Sequence, residues 1–443
     1  MAKSGVYKDG VVLAMSQQSG GLEINPVAYA IPIFLVAIFF EAIIARRRRR
    51  KDGVTEPYYF GTALSDLTVG TVFQGVDVLF QLITFSAYVW LFDNYNLVDW
   101  GEAIWAKWTV AMLGVDLMFY WWHRASHVIN FMWAVHGVHH QSEDFNLAVA
   151  LRQPLFEPLT WFFFYAPLAF VGVDPLTYLA AYGINRFYQF WIHTELVDKL
   201  GPLEWVLNTP SHHRVHHGVQ DQYLDKNYGA ILIIWDLLFR SFEKEEERVI
   251  YGTTTPLRSY NPVWANFAIF ARIGRLMREA KTPLAWVWAP FAHPAWLPGE
   301  RDPDAHLPKR VDCDKYRPPA SSAAVTYVAI HFLVMGVFMF FFLLHEPKWS
   351  VPQLSLGAFA IVGASMAFCG ILERRPWAWP LELIRLAAFI GALYWMGMSR
   401  YEPSLVTMIS AALAMGSIVG LLVYGVARPK TKSASGPEHQ RAE

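Results

Sequence analysis

Ten of the 15 histidines in this chain lie between His123 and His217. They read His123-Arg-Ala-Ser-His127, His136-Gly-Val-His139-His140 and His212-His213-Arg-Val-His216-His217, with His193 alone in Trp-Ile-His-Thr-Glu. Spacings of three and four put two imidazoles on one face of a helix, a turn apart, where both can reach one metal ion. Imidazole is the commonest neutral ligand for late first-row metals, and an adjacent pair such as His139-His140 can point toward two different ions. A set this large exceeds the four ligands of a structural zinc and the three plus water of a mononuclear catalytic site. It suits a dinuclear centre with open coordination positions. An all-imidazole set does not single out zinc, copper, nickel or iron, so context must name the chemistry.

That context is a membrane. The 443-residue chain is 54% hydrophobic and 16% aromatic with 19 Trp, and its apolar runs reach bilayer-crossing length. Spans are expected at Pro26–Ala45, Val69–Phe92, Ala103–Trp122, Leu155–Val171, Leu176–Trp191, Ala324–Leu344, Leu354–Leu372, Leu381–Met398 and Leu405–Val426. The pair over 155–191, broken at Asp174-Pro175, is either two spans or a re-entrant hairpin. The first 25 residues hold no basic region leading into a short apolar core, so no cleavable signal is expected. The fold class expected is all-α: a polytopic helix bundle whose cytosolic helical cap holds the histidine-rich di-metal centre.

Loop charge orients the bundle. Arg46–Lys51 places six consecutive cations directly behind the first span, which marks that end as cytosolic. Threading the other spans puts 123–153, 193–320, 373–379 and 428–443 on the same side. The opposite connections at 93–101 and 172–175 carry no Lys or Arg, and the two later ones one cation each, Lys348 and Arg400. The histidine clusters thus fall at the cytosolic mouths of the helices. With formal net charge +0 and this placement, the basic run reads as a topology anchor, and no nucleic-acid partner is expected. Cys313 in a polar stretch and Cys369 in a span give no disulfide framework.

The chain divides into an N-terminal segment (1–25), a histidine-bearing membrane domain (26–260), a cytosolic helix and linker (261–320), C-terminal membrane helices (321–427) and a polar tail (428–443). Val263–Lys281 sets apolar residues at helical spacing opposite Arg272, Arg275, Arg278 and Lys281. It is either an interfacial helix on the headgroups or a surface helix packed on the cap. No glycine-rich phosphate loop, dinucleotide fingerprint or Ser-His-Asp arrangement is present.

His-x3-His, His-x2-His-His and a second His-x2-His-His among membrane helices resemble the fatty acid hydroxylase and sterol desaturase superfamily of membrane di-iron enzymes. Within it the chain is most similar to the alkylglycerol monooxygenases. The likeness runs through Tyr120-Trp-Trp-His-Arg124, Ser142-Glu-Asp-Phe-Asn146, Ala150-Leu-Arg-Gln153 and Tyr188-Gln-Phe-Trp-Ile-His-Thr-Glu195. It continues in Gly201-Pro-Leu-Glu204, Asn208-Thr-Pro-Ser-His-His-Arg-Val-His-His-Gly218, Asp225-Lys-Asn-Tyr228 and Leu232-Ile-Ile-Trp-Asp236, with an echo at Leu372-Glu-Arg-Arg-Pro376. It departs at Val128, where animal members carry Glu.

The resemblance implies His123, His127, His136, His139, His140, His213, His216 and His217 as core ligands, His193 as a further one, and His212 as a possible ligand or supporting donor. Each ligand should pass its other ring N–H to an acceptor that fixes its tautomer. Glu143, Asp144, Glu195, Asp225 and Asp236 are the nearby carboxylates, with Glu195 favoured. The implied cofactors are two iron ions, replaceable by zinc during purification, and tetrahydrobiopterin reaching the site from the cytosol near 143–152 and 240–262. The implied reaction consumes O2. It hydroxylates the ether-linked carbon of a bilayer-borne glycerol ether lipid, giving a fatty aldehyde and a glycerol fragment. The implied location is the endoplasmic reticulum of a eukaryote or the inner membrane of a bacterium. Two alternatives are a sterol or other polar-lipid hydroxylase or desaturase with a different electron donor, and a histidine-rich metal transporter. The transporter would place ionisable ligands inside the spans rather than at one face. Drawing a sixteen-carbon tail into water would cost about 0.8 kcal/mol per methylene. An apolar cavity lined by the 69–92, 103–122 and 155–191 spans is therefore expected to run from the metals toward the lipid.

Overall fold

A computed structural model describes residues 26–52, 58–299, 314–346 and 349–395. The expected span Leu405–Val426 and the end of Leu381–Met398 lie outside these residues. Among the described residues the protein is helical with no strand, and only isolated bridges join Leu207 to Leu232 and Gly218 to Tyr251.

Helix α1 (Pro26–Asp52) ends in Arg49, Arg50 and Lys51, cations that complement the negative end of its dipole. Helix α2 (Phe60–Tyr95) is 36 residues long. At 1.5 Å per residue it measures about 54 Å, well beyond a hydrocarbon core of about 30 Å. Its first turns, with buried Thr62, Ser65, Asp66 and Thr68, enter the cap rather than the lipid. Those polar residues are why apolar runs alone begin this span nine residues late. Among the described residues, four helices are long and apolar enough to cross a membrane: Val27–Lys51, Phe60–Tyr95, Ser322–Leu344 and Val351–Leu372.

Helix α3 (Ile104–Val128) stops at Ile129, whose extended backbone turns the chain into α4 (Asn130–His140). The turn is tied down where the N–H groups of Asn130 and Phe131 donate to the carbonyls of Ala292 and Pro290. Asn146 caps the short α5 (Leu147–Ala150). The expected span Leu155–Val171 is interrupted. Pro167 has no N–H to continue a helix, so the segment forms α6 (Glu157–Tyr165) and α7 (Pro167–Phe170), nine and four residues long. Helix α8 (Pro175–Trp191) follows, capped by Asp174, which also binds Lys107 at 2.6 Å.

The cap is built from α9 (Pro210–His216), α10 (Ile234–Leu238), α11 (Pro262–Glu279) and α12 (Pro283–Trp288). The amphipathic α11 packs on α4 and α2 through buried Ala265, Ile273 and Leu276, while Trp264 and Phe267 stay exposed. Helices α13 (Ser322–Leu344), α14 (Val351–Leu372) and α15 (Ala378–Trp395) complete the bundle. Ala28 of α1 and Val78 of α2 share one apolar cluster with Phe342, Ile361 and Leu386 of these C-terminal helices.

The cap meets α2 at Gly70, where an added Cβ would overlap the Leu151 carbonyl. Gly183 in α8 faces open space. Gly70→Ala should therefore cost about 1–3 kcal/mol through overpacking and lower Tm by several degrees. Gly183→Ala should leave Tm unchanged or raise it, through the gain in helix propensity. Thermal unfolding of both purified variants checks the pair, and equal Tm values would refute the close contact.

Candidate metal centre

The histidines converge in two groups. His123, His127, His136, His140 and His216 form one, and His139, His193, His213 and His217 the other. Within each group one ligand atom per residue lies within 4.8 Å of every other. The pairs at i and i+4 arise from the end of α3 (His123, His127), from α4 (His136, His140) and from α9 with its cap residue (His213, His217). The adjacent pairs His139-His140 and His216-His217 divide between the groups, because neighbouring side chains on a helix diverge by about 100°. His193, just past α8, joins the second group.

Backbone carbonyls fix four of the nine tautomers. Nδ1 of His123 donates to Tyr228 O at 2.8 Å, His139 to Arg152 O at 3.1 Å, His193 to Gln189 O at 2.7 Å and His216 to Lys226 O at 2.9 Å. A carbonyl only accepts, so each Nδ1 carries the proton and each Nε2 is left with a lone pair. Those lone pairs meet head-on: His193 Nε2 lies 3.1 Å from His139 Nε2, and neither can donate to the other. Bare nitrogens so placed repel, and a cation between them reverses the sign. The donor set therefore fits a metal in each group.

Burial disfavours the charged form of His140, His193, His213 and His217 and leaves the neutral ring that ligates. Loss of water first, and neighbouring imidazoles second, push His140, His213 and His217 well below the ordinary histidine pKa. Burial lowers His193 to about 4.

The carbonyls are held by a specific loop. Asp225 and Asn227 sit in the left-handed region with φ of 57° and 55°, costly for most residues and tolerated best by Asp and Asn. This turn aims the Lys226 and Tyr228 carbonyls at His216 and His123. Asp236 accepts from the N–H groups of Tyr228 and Gly229, each at 2.7 Å. Asn227 Nδ2 donates to the His212 and Glu243 carbonyls. Asp225 itself reaches His127 Nδ1 at 3.5 Å and His293 at 3.3 Å. On the other side, Arg152 is clamped by Asp66 at 3.1 Å and donates to Val138 O at 2.7 Å, so its own carbonyl stays on His139.

Other expected residues lie elsewhere. Glu143 accepts from Tyr316 N, and Asp144 pairs with Lys315 and Arg317. Glu195 hydrogen-bonds Tyr251. Between them Phe145 stacks on His193 at 5.6 Å and on Tyr251 at 4.9 Å. His212 is buried edge-on to Phe242 and stands outside both groups. The sequence reading overlooked Asp116, which accepts from Ile231 N, Leu232 N, Trp235 Nε1 and Asn185 Nδ2 and so ties α3 to α8 and to the turn before α10. Its signal was a lone carboxylate inside an apolar helix.

Below the histidines a cavity of about 1740 Å³ opens, with His123, His136, His139, His193 and His213 on its wall. Its lining draws on all three expected spans and also on α1, α13 and α14, including Phe34, Met335 and Leu354.

The fatty acid hydroxylase family profile matches residues 108–241, which contain both groups. The chain is 33% identical to the alkylglycerol monooxygenase of Homo sapiens over 404 residues, 90% of this chain and 88% of that one. It is 35% identical to that of Xenopus tropicalis over 76% of each chain, and 36% identical to that of Danio rerio over 73% of each. No solved structure matches at a significant level.

His139→Ala and His217→Ala should each lower metal content from two ions per chain, because an ion loses a donor that nothing replaces. His212→Ala should keep both. Elemental analysis of purified protein decides, and full occupancy in His139→Ala would refute the grouping. Acid should act in a defined direction. With their pKa values lowered in the folded state, these histidines bind more protons in the unfolded chain below about pH 6.5, so their share of the stability of metal-free protein is lost as pH falls through that window, against Asp66 and Asp236, whose carboxyls burial raises to about 7 and about 6. Tm against pH, compared between metal-free wild type and His217→Gln, checks the sign of the histidine share, which the variant should weaken.

Proposed function

The chain belongs to the alkylglycerol monooxygenase family, and on that premise we propose that it hydroxylates the ether-linked carbon of glycerol ether lipids at a di-iron centre, with tetrahydrobiopterin as electron donor. Family membership makes it an O2-dependent lipid monooxygenase with a histidine-rich metal site. The observation that supports the finer reading is the junction of that site with a large, mostly apolar cavity.

An alkyl tail lying in the cavity stays out of water while its ether end reaches the imidazoles. His123, His127, His136, His140 and His216 would hold one ion, and His139, His193, His213 and His217 the other. Iron held there would supply O2 activation, so that one oxygen atom is inserted into the C–H bond beside the ether oxygen while the other is reduced to water by two electrons and two protons from the pterin. The resulting hemiacetal breaks its C–O bond to the glycerol oxygen, passing its hydroxyl proton there and releasing aldehyde and glycerol. The apolar walls keep water from the reacting carbon. Arg46–Lys51 supports a cytosolic position for the cap. The small polar hollow behind Phe145, lined by Glu41, Asp144, Glu195 and Tyr251, measures about 20 Å³, which is room for one water and not for a pterin.

Iron-loaded protein given O2 and tetrahydrobiopterin should release hexadecanal from 1-O-hexadecylglycerol. Turnover that ignores the pterin and follows an added reductase and cytochrome would overturn the assignment of the donor. Conversion of a sterol, with no aldehyde from the ether, would overturn that of the substrate.

A further inference from the structure

One flank of the cap is apolar and uncovered among the described residues. Leu284 is 79% exposed, and Trp286, Val287, Trp288 and Phe291 are each more than half exposed. On α11 the outward face carries Trp264 and Phe267. Phe131 joins the two stretches: its ring lies 6.1 Å from that of Phe270, and its N–H donates to Pro290 O. The backbone behind them is fixed. Asn130 Nδ2 donates to Ala289 O at 3.0 Å, Arg272 donates to Pro294 O at 2.8 Å, and Ala289 and Ala292 are buried. The aromatic side chains are therefore held outward by a braced segment.

Contiguous apolar surface of this kind marks a contact. Two observations point to the occupant. The first is continuity with the bundle. The rings of Phe267 and Phe270 lie 5.5 and 5.8 Å from that of Phe156, and Asn266 Oδ1 accepts from Leu155 N at 2.8 Å. From there α6 runs on along the bundle and presents Phe163, 73% exposed. The second is charge. Arg275, Arg278 and Lys281 are exposed at the end of α11 and just past it, and Glu279 is the single acidic residue between 262 and 291. Exposed Trp and Phe beside a row of cations match the boundary of a bilayer, where rings enter the acyl region and cations meet headgroups. We propose that α11 and α12 form a hairpin that docks on the leaflet at the cap side of the bundle and selects anionic phospholipid through Arg275, Arg278 and Lys281. One face of α11 then holds the cap, through Ala265, Ile273 and Leu276, and the other holds the bilayer.

The test reads lipid contact at single labelled positions of the full chain in nanodiscs that hold one copy each. Cys313→Ser leaves Cys369, which is buried, as the only native thiol. A fluorophore is attached through Leu284→Cys, through Phe163→Cys as the lipid reference, or through Glu246→Cys, an exposed site in an acidic run, as the water reference. Spin-labelled phosphatidylcholine should quench positions 284 and 163 and leave 246 bright. At 284, spin-labelled phosphatidylserine should be preferred about fivefold, the scale of one cation near an anionic surface, with no preference at 163. Arg275→Gln, Arg278→Gln and Lys281→Gln together should remove that preference, as should high salt, while phosphatidylcholine still quenches. All three side chains are exposed, so Tm should not change. Trp286→Ser with Trp288→Ser should lower quenching at 284 by both lipids. Quenching at 284 no greater than at 246 would overturn the docking, since water, another segment or a second copy would then cover the face. Equal quenching by the two lipids at 284 would overturn the anionic selectivity, and a preference that survives the triple variant would overturn its assignment to these cations.

Discussion

Imidazole lone pairs aimed at one another inside a protein are the constraint on which the rest of this structure depends. Nine rings converge from four separate segments, and at His139 and His193 both facing nitrogens lack a proton to share. Each arrangement is unfavourable without a cation, so folding energy from elsewhere must hold the rings in place. The surrounding scaffold does this with groups that leave little freedom: carbonyls at Tyr228, Arg152, Gln189 and Lys226 that fix the tautomers. A carbonyl positioned by its own helix or turn is more rigid than a carboxylate on a flexible side chain. That explains why main-chain oxygens orient so many of these ligands.

The rigidity is passed outward through buried charges. Asp236 holds the Tyr228 turn, Asp116 holds the turn before α10, and Asp66 holds Arg152. Removing one member of the buried Asp66–Arg152 pair should cost about 3–5 kcal/mol, and loss of Asp116 or Asp236 would leave several buried donors unpaired at about 1–3 kcal/mol each. The overlong α2 matters here. It carries Asp66 in the cap and Asp77 along the cavity, so one rigid element spaces the metal site from the chamber beneath it.

That chamber meets the site directly, with His123, His136, His139, His193 and His213 on its wall. Its walls include α1, α13 and α14, and the C-terminal helices also share an apolar cluster with α1 and α2. They therefore enclose the chamber as well as adding to the bundle.

The sequence by itself determined the histidine set, its spacing and the all-helical membrane class. His-x3-His and His-x2-His-His restrict what a helix can present, and long apolar runs restrict where a chain can reside. The division of His139 from His140 and of His216 from His217 was legible for the same reason, since helical geometry is local. The tertiary structure alone decided which groups support the rings. Glu195 is near His193 in sequence, yet it hydrogen-bonds Tyr251, while Arg152, Lys226 and Tyr228 supply carbonyls from distant segments. Main-chain acceptors carry no residue-type signature, so no pattern of letters announces them. Likewise Pro167 marks a break, but only packing shows that the short α6 before it walls a chamber with α1, α13 and α14. Contacts among segments so far apart follow from chain closure in three dimensions, which no local periodicity encodes.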